Sequence, residues 1–137
     1  MEVGTGGRLA AAVTTAPGTT GRLRSGVAVP DLDAAAGALG LSGTVGASEL
    51  AVAARDRSGA TWGVALLVTA DPGGDAAVGD TQWAIVGPDG RVQTAERFVP
   101  AADRDVVRTR SAAFVLEALR RQLVASTTSR PVADVTP

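Results

Sequence analysis

The chain has 137 residues, 13 of them basic and 14 acidic for a net charge of −1, and it contains no Cys, His or Tyr. All the basic residues are Arg, so imidazole, thiolate, phenol and amine catalysis, disulfides and Cys-based zinc sites are all excluded. The arginines are scattered rather than clustered and no apolar run approaches the roughly 18 residues of a membrane span, so neither nucleic acid nor membrane is an expected partner.

A chain of this length forms one ordinary domain that buries about two-thirds of its unfolded surface. Hydrophobic residues make up 45% and aromatics only 3%, which predicts a core built from small Ala and Val side chains. The opening Met1-Glu2-Val3-Gly4 has no basic region followed by an apolar stretch, so the expected compartment is cytoplasmic. No cofactor or metal is expected.

Thr5-Gly6-Gly7 opens directly into Arg8-Leu9-Ala10-Ala11-Ala12-Val13, which predicts a helix with an uncapped donor end that stops before Pro17-Gly18. Residues 25–29 form a short apolar run that predicts a buried strand, ended by Pro30 because proline donates no ladder bond. Asp31 caps the next helix, which runs through about Leu39 and is closed by Gly40. Ser48, with Glu49 in the first turn, starts a further helix that turns Leu50, Val52 and Ala53 inward and stops at Gly59.

Residues 62–69 are nearly all apolar, as in a strand buried on both faces, and predict the centre of the fold. Asp71-Pro72-Gly73-Gly74-Asp75 breaks that strand, and residues 81–86 predict the next. Gly87-Pro88-Asp89-Gly90 is a tight-turn signal, followed over 91–98 by an alternating hairpin partner with one wet face. Asp103 begins the longest helix, expected to dock through Val106, Val107, Ala113, Phe114, Leu116, Leu119 and Leu123. Residues 127–137 are polar without period and read as a disordered tail behind a single domain over 1–126. The order of elements predicts an α/β fold, one layered domain with a mixed β-sheet flanked by helices.

Taken in order, these landmarks resemble the CinA C-terminal domain family, whose characterised members are nicotinamide mononucleotide amidohydrolases. The resemblance covers nearly the whole chain. It rests on Thr5-Gly6-Gly7 with the Ala-rich helix, Pro17-Gly18-Thr19-Thr20, Gly26-Val27-Ala28, and Ala54-Arg55-Asp56-Arg57-Ser58-Gly59-Ala60. Pro72-Gly73-Gly74, Val78-Gly79, Phe98 with Pro100, and Asp103-Arg104 with Val107, Arg108 and Arg110 follow.

The departures fall where the resemblance places the chemistry. The family's Glu-Ser-Cys-Thr-Gly-Gly, with Ser as nucleophile, reads here Glu2-Val3-Gly4-Thr5-Gly6-Gly7. Its Tyr-Ser-Asn-Glu-Ala-Lys stretch falls on Val29-Pro30-Asp31-Leu32-Asp33-Ala34-Ala35, so the activating Tyr and Lys are missing in either register. Asp71 stands where the family keeps a glycine near its ligand, and an acid there repels phosphate. Because the chain opens on the motif itself, the family's preceding helix and first strand are expected to be missing.

No residue is therefore assigned a catalytic role. Candidate ligand-binding residues are Thr5, Gly6 and Gly7 at a helix N-terminus, where free amides favour anions, Gly73 and Gly74 in the Pro-Gly-Gly loop, and Arg104 and Arg108 as anion grips. Against these stand an ordinary tight turn, an ordinary loop and a solvated arginine face. Asp31 and Asp33 read as a cap and a first-turn acid rather than half a metal site. The expectation is a degenerate domain that keeps the fold and weak binding of a pyridine nucleotide. The alternatives are an amidohydrolase with a rearranged site, for instance Thr5 with Asp71 as base, or a structural subunit pairing with a complete paralogue. Self-association or pairing with that paralogue is expected in each case.

Overall fold

The computed structural model describes residues 1–19, 21–70, 78–100 and 103–129. Its elements are β1 (Glu2–Val3), α1 (Arg8–Thr15), β2 (Ala28–Val29), α2 (Leu32–Leu39), α3 (Ala47–Ser58), β3 (Gly63–Val68), β4 (Asp80–Val86), β5 (Val92–Phe98) and α4 (Arg104–Thr128). The strands form one mixed sheet in the order β2-β1-β3-β4-β5, with β1 parallel to both neighbours and the β3-β4-β5 stretch antiparallel. The expected α/β layered fold is the one observed, with β3 at the centre.

Alternation along the strands sends the two sets of side chains to two cores. On one face Val3, Ala65, Leu67, Ala84 and Val86 pack against Ala35, Leu39, Leu50 and Ala51 of α2 and α3. On the other, Leu66 and Val68 pack against Leu9 of α1 and Val107, Ala112 and Val115 of α4.

Local signals set several boundaries as read from the sequence. The Asp31 side chain accepts from the Ala34 amide at 2.8 Å, and Gly40 closes α2 in the left-handed region at φ 63°. Other expectations are corrected. Only Ala28–Val29 of the 25–29 run pairs, as a partly exposed edge strand. Helix α3 starts at Ala47 after Gly46 rather than at Ser48, because the Glu49 carboxylate reaches back to the Gly46 amide at 2.9 Å. Strand β5 is exposed on both faces, Ala95 alone being half-buried.

Helix α4 docks on the stripe Val107, Ser111, Ala112 and Val115, whereas Val106, Phe114 and Leu123 of the expected face are exposed. It continues to Thr128, two residues past the expected end, and residues 130–137 lie outside the described ones. Glu2–Val3 is hydrogen-bonded into the sheet between β2 and β3. Among the described residues no helix is long and apolar enough to cross a membrane.

Candidate functional site

In a sheet with parallel strands, loops leaving the carboxyl ends of those strands converge where the strand order reverses, and ligands favour that place. Here β1 lies between β2 and β3, so the loop of residues 4–7 at its carboxyl end is that place, beside the end of β3. Gly4 makes the first bend at φ 76°, and a Cβ on it would stand 2.2 Å from the Val68 carbonyl oxygen. Only glycine allows the loop to pass this close to β3.

Helix α1 begins after Gly7, which adopts φ 83° and supplies no capping side chain. Its cap comes instead from Glu2, seven and eight residues back. The Glu2 carboxylate accepts from the Leu9 and Ala10 amides at 2.8 Å each, and from the Thr5 hydroxyl. Glu2 is 2% exposed and Thr5 fully buried. A buried carboxylate is tolerable here because three donors and the positive end of the helix dipole converge on it. The helix read as uncapped is capped by a residue the sequence reading left without a role.

Helix α4 reaches the same loop from the side. Arg108 donates through Nε to the Gly4 carbonyl at 2.9 Å, and Arg8 donates to the Thr5 carbonyl at 2.7 Å. The Asp105 carboxylate lies between them, 2.8 Å from Arg8 and 3.3 Å from Arg108. These bonds order the loop and set the first turn of α4 over it.

The structure thus brings Thr5, Gly6, Gly7 and Arg108 together, with Gly6 exposed, Gly7 half-buried and Thr5 sealed. Arg104 is exposed on the first turn of α4, and Arg110 donates to the Pro100 carbonyl at 3.4 Å. Gly73 and Gly74, with Asp71, lie outside the described residues. Sequence reasoning missed Glu2, Gly4, Arg8 and Asp105. Only Glu2 had a signal, as the first residue of the motif quoted above.

Val3 is 6% exposed, and its side chain packs with Ala35 and Leu39. A cavity of about 380 Å³ lies at the other end of β1, lined by Met1, Arg24, Val27, Leu39 and Arg57 among others. Among the described residues, no three His, Cys, Asp or Glu side chains are grouped to hold a metal ion.

The family profile of the CinA C-terminal domain matches residues 1–123. A CinA-like protein of Parasynechococcus marenigrum is 37% identical over 134 residues, which cover 88% of this chain and 32% of that protein. One of Frankia casuarinae is 34% identical over 87% of this chain and 30% of its own length. The chain therefore spans about a third of the length of these relatives. Among solved structures, the competence or damage-inducible protein of Enterobacter asburiae superposes with a TM-score of 0.79 at 26% identity, covering 89% of this chain and 84% of that one. The competence/damage inducible protein CihA of Agrobacterium tumefaciens gives 0.77 at 29%, covering 88% and 81%.

Proposed function

Because the chain belongs to the CinA C-terminal domain family, we propose that it is a member that has lost carboxamide hydrolysis while keeping the fold and weak binding of a pyridine nucleotide. One observation carries this reading: where the resemblance places the serine nucleophile stands Val3, a hydrocarbon side chain turned into the core. Removing a nucleophile and its activating partners together leaves only the acceleration from binding and orientation, on the order of a thousandfold over water. For an amide that rate is negligible.

The binding half of the proposal rests on the surface around the loop. Exposed Gly6 and the arginines Arg8 and Arg108 lie at the carboxyl end of β1, where guanidinium groups suit a phosphate or carboxylate, and Arg104 is exposed on the first turn of α4. Asp105 offsets part of that charge, consistent with weak rather than tight binding.

The rearranged-site reading is favoured by one contact, the Thr5 hydroxyl against the Glu2 carboxylate. Against it, both groups are buried and Glu2 already holds two amides. Ammonia release from nicotinamide mononucleotide by the purified protein decides between the two. The proposal expects none above background; turnover abolished by Thr5→Ala overturns it. A thermal-shift titration with the same nucleotide tests the binding half, since a ligand at 100 times its Kd stabilises by about 2.7 kcal/mol. No shift at millimolar ligand leaves the reading of a structural subunit that pairs with a complete paralogue.

A further inference from the structure

We propose that β5 is the seam of a two-fold dimer, in which two copies of this chain pair antiparallel about Ala95 and their sheets join into one. The two edges of the sheet differ sharply. Edge strand β2 has two residues, whereas β5 has seven, paired with β4 at every position without a bulge and free of proline. A long, regular edge, here left unpaired by every described residue, is what monomeric proteins avoid by shortening, bulging or covering it. Helix α4 touches β5 from one face only, with the Arg97 guanidinium 4.1 Å from the Phe114 ring centre and Gln122 bonded to Gln93 at 2.6 Å.

The side chains of β5 select the register. Residues directly opposite in an antiparallel pair lie on the same face, and faces alternate along a strand, so a two-fold axis normal to the sheet must pass through a residue. An axis on Ala95 sets Phe98 against Val92 of the second copy, Arg97 against Gln93 and Glu96 against Thr94. Phe98 and Val92, 55% and 38% exposed, then cover each other at both ends of the seam. An axis on Glu96 would oppose two carboxylates, one on Arg97 two guanidinium groups, and like charges directly opposite destabilise. An axis on Thr94 leaves Phe98 facing Gly90, with no apolar side chain to cover it. Ala95, the smallest side chain of the strand, fits at the axis where the two copies approach most closely.

Sedimentation velocity of the purified chain over a concentration series is expected to show a monomer–dimer equilibrium; a monomer at every concentration overturns the proposal. The chain has no Cys, so Ala95→Cys reports the axis directly. Under mild oxidation it is expected to form a disulfide dimer and Glu96→Cys is not; equal cross-linking of both, or of Glu96→Cys alone, overturns the register. Thr94 is exposed, so Thr94→Glu leaves the fold intact by circular dichroism while setting carboxylates against Glu96 twice across the seam. It is expected to raise the dimer Kd by about tenfold or more, and Thr94→Glu with Glu96→Lys to restore it. An unchanged Kd in Thr94→Glu overturns the proposal.

Discussion

The Thr5 hydroxyl donates to the Glu2 carboxylate, and both groups are buried. The same carboxylate holds the Leu9 and Ala10 amides, so one side chain on β1 ties the strand, the loop of residues 4–7 and the first turn of α1 together. Replacing it by Glu2→Gln keeps the shape but removes the charge and turns an amide NH₂ toward one or more of the donors. The expected cost is about 2 kcal/mol, seen as a melting temperature lower by about 6 °C in a domain of this size. Thr5→Val is expected to cost about 1 kcal/mol. The double variant should lose less than the sum, because the two residues share one bond; strict additivity in thermal or urea unfolding would show that the contact carries no coupling.

Gly4 and Gly18 share the left-handed region, at φ 76° and 78°, but not their surroundings. A Cβ at Gly4 meets the Val68 carbonyl at 2.2 Å, and one at Gly18 meets nothing within 4 Å. Gly18→Ala should therefore cost only the backbone preference, about 1 kcal/mol, whereas Gly4→Ala must also displace β3 or the loop and is expected to cost about 3 kcal/mol or more. Urea unfolding of the two variants checks the contrast. Equal midpoints would mean that the loop yields without resistance.

Arg108 links α4 to the loop through the Gly4 carbonyl. Arg108→Ala is expected to destabilise by about 1 kcal/mol and to speed hydrogen exchange of the residue 4–10 amides, which local opening of the loop exposes. Asp105→Asn acts on the same contacts, but its carboxylate is 70% exposed, so its effect should stay under about 1 kcal/mol and fade in high salt.

Glu117 on the outer face of α4 has its pKa held down to about 2 by hydrogen bonds from Arg120 and then Arg121. Its folded pKa lies below its ordinary value of 4.5, so whatever stability it lends is present above that value and is lost as pH falls toward 2. The side chain is 44% exposed, and the effect is correspondingly screened. A carboxyl NMR titration at low ionic strength should place its midpoint near 2, and Arg120→Gln with Arg121→Gln should return it toward 4.5. A midpoint unmoved by the double substitution would remove the two arginines as its cause.

Elements whose boundaries depend on four or five neighbouring residues were legible in the sequence. Asp31 and Gly40 bracket α2 because a side-chain cap and a left-handed glycine act on the backbone beside them, and β3 stands out because a strand buried on both faces excludes polar residues throughout. That Val3 carries no hydroxyl was equally plain, since it is a matter of residue identity. What only the tertiary structure decided is which groups meet across the fold. The apolar positions of α4 allow more than one docking stripe, and the fold buries the one through Ser111, whose hydroxyl pairs with Thr81 at 2.8 Å. Glu2 became the cap of α1 only because β1 lies directly beneath the helix start. Helical and strand periods specify faces but not partners, and burial and long-range hydrogen bonds depend on which surface the rest of the chain brings against each face.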